Sequence, residues 1–428
     1  MTSAIRPVLA GFLLAALIAA TIPAWAQAQS VALGASVESL LDFARARNPE
    51  LATTRYEADA AAQRVQPAGA LADPVLRVEL EDINRSGSSS RIGQLPNRIG
   101  SAKYTLMQPL PAWGKRDLRR DVAAADSDQA SARAAITWTE LAARIKTAYA
   151  RYYLAAGTER LTLEIVDLNS RLEQIAQARY AGGLATQQDA IRAQVEETAL
   201  RSELIALDSE KQQLRARLNA LLARDGAAPL AEPVALRPLP ALTVFDAPAI
   251  ARRARASNPS LRAEEARLLA AERNRELTLR NRYPDFLVGV VPTQSGARIS
   301  SWGVMFEMNI PLQQTTRRSQ ENEAEALVGA ARSRNEAVAN TLLGDLAENL
   351  AGVDAARRTE ALTTTTLLPQ SELSLRSALA AYENGRVDFT TLLEAQRQIR
   401  KARQERLTAQ VNARLRLAEV ERILGEDL

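Results

Sequence analysis

The 428-residue chain contains no cysteine and no histidine, only 4 methionines, and 4% aromatic residues. Without cysteine there can be neither disulfides nor a lipid-modified N-terminal cysteine, so any attachment to a membrane must come from the fold. Lacking both residues, the chain also forgoes the usual nucleophile, proton shuttle and soft-metal ligands. No catalytic, cofactor-binding or metal-ligating residue is therefore assigned. Carboxylates such as Glu196 and Glu197 sit in a helical solvent-face pattern without clustering. One-sided charge is missing too: 54 basic against 50 acidic residues give +4. The signs alternate along helical stretches, which describes a solvated face and not a nucleic-acid-binding surface.

Long apolar runs are absent beyond the first residues. The chain opens with Arg6, stays uncharged from Val8 to Ile22, and reaches two small-x-small cleavage sites, Ala24-Trp25-Ala26 and Ala26-Gln27-Ala28. This is the pattern of a secretory signal peptide, assigned to residues 1–28, with cleavage after Ala26 or Ala28. No later run approaches the roughly 20 apolar residues that a spanning helix needs. Membrane insertion would therefore have to use strands.

What the sequence does contain is one unit written twice. Asn48-Pro49-Glu50-Leu51 is answered by Asn258-Pro259-Ser260-Leu261, and Pro74 by Pro284, at an offset of 210. Farther on, Gln108-Pro109-Leu110 corresponds to Ile310-Pro311-Leu312, and Tyr180, Gly183 and Gln194 to Tyr382, Gly385 and Gln396, at an offset of 202. A longer loop in the first half accounts for the difference. The expected organisation is a first repeat at 29–228, a Pro-rich connector at 229–248 and a second repeat at 249–428. Each repeat begins with a helix capped by the Asn-Pro pair.

Strand-like alternation follows, near 75–83, 101–109, 285–292 and 299–311. Leu76, Val78 and Leu80 alternate with Arg77, Glu79 and Glu81; Trp302, Val304, Phe306 and Met308 alternate with Ser301, Gly303, Met305 and Glu307. Such runs suit tilted strands of a membrane barrel, with Trp113 and Tyr283 at the periplasmic rim and Trp302 near the outer end. The Gly- and Ser-rich stretch Asn84 to Gly100 suits an extracellular loop. Soluble antiparallel sheets alternate in the same way. Aromatic placement favours the membrane. Four strands cannot close a barrel, because an open edge in lipid leaves backbone groups unpaired. An oligomer that shares its strands is required.

After each strand pair the chain runs for over a hundred residues with almost no proline. Leu161, Ile165, Leu168, Leu172 and Ile175 mark one coiled-coil seam; Leu200, Leu204, Leu207, Leu214, Leu218 and Leu221 mark another, interrupted at Lys211. Gly182-Gly183 and Asn384-Gly385 break the helices, with Thr186 and Asp189 as a capping box restarting the first. Ala155 to Thr158, and Arg357 to Glu360 in the second repeat, are expected to be the hairpin reversals.

The order of these features, a signal peptide, duplicated Asn-Pro helices, strand pairs, heptad helices and a Tyr-x-x-Gly break, resembles the TolC-like outer-membrane efflux proteins over the whole mature chain. The resemblance implies a mainly α fold with a transmembrane β part. Each chain of a homotrimer would give four strands to a shared 12-stranded β-barrel in lipid and its long helical hairpins to an α-barrel in the periplasm. It further implies docking to a periplasmic adaptor (membrane fusion) protein and an inner-membrane pump of the resistance-nodulation-division type. The segment from Gln108 to Arg116 looks like the subgroup paired with heavy-metal cation pumps, although nothing in the chain is a metal-binding stretch. Metal cations and small toxic molecules both remain as cargo, and a periplasmic coiled-coil adaptor or scaffold is the alternative function.

On this reading transport through the subunit is passive. Strand parity turns Arg77, Glu79, Glu81, Lys103 and Glu307 toward a water-filled lumen, where any polar residue would also serve. Arg151 and Asp354, near the expected reversals, are candidates for a charged ring at a periplasmic gate. Tyr180, Gly183, Tyr382 and Gly385 form the helix-break motif, with the tyrosines expected to pack against neighbouring helices.

Overall fold

A computed structural model describes residues 33–81, 100–241, 245–296 and 298–428. The expected signal peptide and nearly all of the Asn84 to Gly100 loop lie outside these residues. The elements run α1 (Val37–Arg47), α2 (Pro49–Ala68), β1 (Val75–Glu81), β2 (Ser101–Leu110), α3 (Lys115–Ala181) and α4 (Gln187–Leu221), and then α5 (Ala247–Ser257), α6 (Pro259–Arg280), β3 (Phe286–Ser295), β4 (Arg298–Met308), α7 (Gln314–Leu362), α8 (Leu368–Glu383) and α9 (Phe389–Leu424). The chain is mostly helical, with four antiparallel strands, as the resemblance implied.

Both Asn-Pro pairs start helices, and each asparagine has a second task. Asn48 accepts from the amides of Glu50 and Leu51 to cap α2, while its Nδ2 donates to the carbonyl of Leu221 at the end of α4. Asn258 likewise accepts from the Leu261 amide to cap α6, and its Nδ2 donates to Ile423 near the end of α9. One buried side chain thus satisfies a helix N-terminus and the C-terminus of a helix far along the sequence.

Helix α3 is 67 residues long. At 1.5 Å per residue it extends about 100 Å. Its repeat counterpart is interrupted once, by a five-residue π-helical turn at Thr363–Leu367 between α7 and α8. Pro369 explains the widening, since it lacks an N–H and its ring clashes with the preceding turn. The equivalent position in α3 is Asp167, and there the helix continues unbroken.

Both expected hairpin reversals are displaced. Ala155 to Thr158 lies inside α3 and Arg357 to Glu360 inside α7. Ala155 and Ala156 are buried, and Leu407 of α9 packs directly over Gly157. Small residues there permit close helix approach, not a turn. The chain reverses instead at Gly182 to Thr186 and at Asn384 to Asp388. Gly183 and Gly385 take the left-handed φ values of +71° and +69° that end the helices. The bonds Leu184 N to Arg179 O and Arg386 N to Ala381 O close each terminus in the Schellman manner.

Three apolar clusters hold the helices. One joins α1, α3 and α4, a second lies near the hairpin turns around Leu172, Tyr382 and Phe389, and a third joins α5, α6, α7 and the end of α9. The four strands form a single sheet in the order β1-β2-β3-β4. Its apolar face is bare.

Candidate functional site

Register decides which strand residues share a face. β1 pairs with β2 so that Arg77 opposes Thr105, Glu79 opposes Lys103 and Glu81 opposes Ser101. Lys103 in turn opposes Thr293 of β3, and Glu307 of β4 opposes Leu287. Since directly opposed residues lie on the same side of a pleated sheet, Arg77, Glu79, Glu81, Lys103 and Glu307 all point from one face. Glu79 sits between two cations, 3.9 Å from Arg77 and 3.7 Å from Lys103. Glu307 stands apart on β4, across from an apolar residue.

The opposite face carries Leu76, Val78, Leu80, Leu106, Val290, Trp302, Val304 and Phe306. Trp302 is 70% exposed, Phe306 65% and Val304 87%. A soluble protein rarely leaves so continuous an apolar band in water. Charged on one face and apolar on the other, the sheet suits a wall between water and lipid. Trp113 and Tyr283, both exposed, flank its helical end.

The junction between sheet and helices contains a brace that the sequence did not single out. Lys115, 3% exposed, begins α3 and donates from Nζ to the carbonyl of Tyr283 at 3.1 Å and to Asp285 at 2.9 Å. Asp285 also accepts from the Ala112 amide at 2.7 Å. Partial burial pushes the Asp285 carboxyl up, but the Ala112 amide and the Lys115 ammonium together hold it below its usual range. Gly114, at φ +80°, makes the turn that brings Lys115 back to β3. The Pro-Ala-Trp-Gly-Lys run was visible in the sequence; its partner Asp285 lies 170 residues away.

Neither gate candidate stands at a helical tip. Arg151 lies in the middle of α3, on a groove shared with Arg217 of α4 and Glu419 and Arg422 of α9. Asp354 lies within α7 and pairs with Arg358 one turn later at 2.6 Å. A charged ring formed by these two at the tips is ruled out, because the turns they were placed beside are continuous helix.

At the true tips the two tyrosines differ. Tyr382 is 2% exposed and meets Phe389 edge to face with ring centroids 5.6 Å apart. Tyr180 is 48% exposed, so only one of the pair packs as expected. What joins the tips is Arg179. Its guanidinium donates to the carbonyls of Tyr382 and Glu383 at 2.6 and 2.7 Å and of Leu184 at 3.2 Å, and lies 4.9 Å from the Tyr382 ring centre. The repeat counterpart of Arg179 is Ala381. This clamp therefore exists once per chain. The capping box expected at Thr186 is also missing: its side chain makes no cap bond, whereas Asp388 in the second repeat accepts from the Thr391 amide at 3.0 Å.

No helix among the described residues is long and apolar enough to cross a membrane, and no group of three or more acidic residues there could hold a metal ion.

Comparison with known proteins agrees with this architecture. The cobalt-zinc-cadmium resistance protein CzcC of Cupriavidus metallidurans is 24% identical over 403 residues, covering 91% of this chain and 90% of CzcC. Among solved structures, the outer membrane protein VceC of Vibrio cholerae superposes with a TM-score of 0.77 at 16% identity, covering 91% of this chain and 96% of that one. The open-state MtrE outer membrane channel of Neisseria gonorrhoeae gives 0.72 at 16% identity, covering 92% and 89%. The sequence pattern of the family described as "Outer membrane efflux protein" matches residues 40–224 and 250–426. A lone periplasmic adaptor does not account for these matches, and with both repeats covered, the chain belongs to the outer membrane efflux protein family.

Proposed function

We propose that this outer-membrane channel passes divalent metal cations, and that the charged sheet face is the water-filled wall they cross. The family forms homotrimers that lie in the outer membrane, extend into the periplasm and work with a periplasmic adaptor and an inner-membrane pump. The subunit is a passive duct, and the reading includes no catalysed reaction. Its structural unit is the repeat, residues 29–228 and 249–428 about the connector at 229–248. That division is supported by the two separate family matches, which leave residues 225–249 unmatched.

The observation that carries the cation reading is the similarity, over 91% of this chain, to CzcC, a cobalt-zinc-cadmium resistance protein. On the inward side of the sheet Glu79, Glu81 and Glu307 are matched by Arg77, Lys103 and Arg298, the last sharing the face through the row Glu81, Ser101, Ser295 and Arg298. A lumen lined by charges of both signs costs little where water solvates them and leaves hydrated cations free to pass. A duct need not bind its cargo, so the lack of metal ligands is compatible with it.

A strain lacking this chain should become sensitive to zinc, cobalt or cadmium and regain tolerance on complementation. Replacing Glu79, Glu81 and Glu307 together by Gln leaves Arg77, Lys103 and Arg298 unbalanced and should shift selectivity toward anions in single-channel recordings while leaving the channel open. Unchanged metal tolerance together with new sensitivity to organic toxins would remove the cation reading and leave the channel itself intact.

A further inference from the structure

Helix α3 has two different faces at mid-length. One carries Leu141, Ile145 and Tyr149, which pack with α1, and the Tyr149 hydroxyl bonds to the carbonyls of Ala35 and Ala235, so the Pro-rich connector crosses the same face. Arg144, Thr147 and Arg151 fall on the opposite face, since at 3.6 residues per turn Tyr149 and Arg151 are about 200° apart. Flanked by α4 on one side and α9 on the other, that face is the floor of a groove of about 280 Å³. In a tube walled by these helices, α1 and the connector belong outside, because inside they would obstruct the duct. The groove therefore opens into the lumen.

Its charged lining is Arg144, Arg151, Arg217, Arg422, Glu140 and Glu419. Both glutamates are already paired. Glu140 accepts from Arg144 at 3.1 Å and Glu419 from Arg422 at 2.7 Å, each about one turn along its own helix. Arg151 of α3 and Arg217 of α4 are exposed and have no carboxylate within 4.0 Å among the described residues. One copy builds the groove alone, since its own α4 and α9 form both walls. The second repeat does not reproduce it: the matching place in α7 holds Gly352 and Val353, and the counterpart of Arg217 at the 202 offset is Glu419.

Resting on the channel reading above, we propose that this groove is a lumenal site for small oxyanions of charge two or more, such as monohydrogen phosphate, held by Arg151 and Arg217. Two guanidiniums without a counter-charge in one concave site raise the local concentration of anions. Their planar forks match the paired oxygens of a phosphate or carboxylate, whereas chloride offers a single charge and no such geometry. A homotrimer carries three of these grooves, so two unpaired guanidiniums from each copy stand at one level of the duct. Empty, that ring opposes the passage of cations. Filled by multivalent anions, it is neutralised, and cation passage through the duct becomes coupled to the anions of the periplasm.

The full-length exported trimer allows two tests. Phenylglyoxal, which modifies accessible guanidiniums, should react at Arg151 and Arg217, and inorganic phosphate should slow both at least roughly fivefold relative to chloride at equal ionic strength. Peptide mass mapping localises the protection, with Arg171, whose side chain is 70% exposed near the tip of α3, as the unprotected reference. In planar bilayers under a potassium chloride gradient, added phosphate should raise the cation-to-anion permeability ratio at least about twofold over added chloride of equal ionic strength. Arg151→Gln with Arg217→Gln should raise that ratio without phosphate and abolish the response to it. Arg151→Lys with Arg217→Lys keeps the charge, loses the fork and should recover only part of the response. Both positions are exposed, so heat-sensitive gel migration should report an intact trimer for each variant. Protection of Arg171 equal to that of Arg151 and Arg217, or a phosphate response that survives in the double Gln variant, overturns the site while the channel reading stands. A wild-type chain that forms no trimer in the outer membrane, or a trimer that conducts nothing, overturns the channel reading and this proposal together.

Discussion

Lys115 and Asp285 fix the angle at which α3 leaves the sheet, and their charges make that junction sensitive to acid. The folded carboxyl is held below its ordinary value, so the stability it contributes is fully present above the unfolded carboxylate pKa of about 3.9. It is lost as pH falls through the lower folded value. Wild-type trimer should therefore lose heat stability as pH drops below about 4. Asp285→Asn should be less stable at neutral pH, because a buried Lys115 loses its counter-charge, and should show a shallower decline on acidification. Trimer melting followed from pH 7 to pH 2 checks both slopes. A mutant curve parallel to wild type would remove Asp285 from the account.

Arg179 is the second residue whose replacement should be felt locally. It donates to three backbone carbonyls at the ends of α3 and α8, although its Nε is buried without a partner. Charged hydrogen bonds of this kind contribute about 1.5 to 3 kcal/mol when enclosed, and less here, where the side chain is half-buried. Arg179→Ala should raise amide exchange at Gly182 to Thr186 and Asn384 to Asp388 by about tenfold without changing the global melt. Arg179→Lys keeps the charge but not the planar fork and should recover little of the protection.

At the scale of elements, the two Asn-Pro helices are the parts whose role the sequence revealed only halfway. Capping was legible from residue type and from proline at the first helical position. The donation from Asn48 to Leu221 and from Asn258 to Ile423 was not, since no local pattern announces a partner more than 160 residues away. Replacing either asparagine by Ala should cost more than an ordinary cap, about 2 kcal/mol against about 1, because it also orphans a helix C-terminal carbonyl. Asn→Asp, which keeps the acceptor and deletes the donor, separates the two parts in a urea titration of the trimer. Equal losses for Asp and Ala would mean that the tether, and not the cap, carries the effect.

Helix length shows the same limit differently. Heptad spacing correctly announced coiled coils, but the small residues from Ala155 to Thr158 suggested a turn where the structure has close helix packing against Leu407. Ala and Gly serve both purposes, and only the facing residue distinguishes them. The true reversals carry glycine at positive φ, which was readable as a break but not ranked above the false one. Arg151 and Asp354 were misplaced for that reason alone.

The molecule as a whole is a sheet with a wet face and a greasy face mounted on helices about 100 Å long. Its lipid face should tolerate no charge. Val304→Arg should cost about 2 to 4 kcal/mol at mid-bilayer and reduce the amount of heat-sensitive trimer in outer-membrane fractions, while Gly303→Ser, on the opposite face, should not. Normal assembly of Val304→Arg would reverse the assignment of faces.

Period and repetition are properties of the linear chain, so the sequence by itself determined export, the duplicated unit, strand parity, the heptad helices and the need for more than one copy. Tertiary structure decided where the helices turn, that Lys115 finds Asp285, and that Arg179 clamps one tip to the other. The physical reason is reach. Alternation and capping depend on neighbours a few residues apart, whereas the brace, the tethers and the clamp depend on groups that meet only after the two repeats have closed on each other.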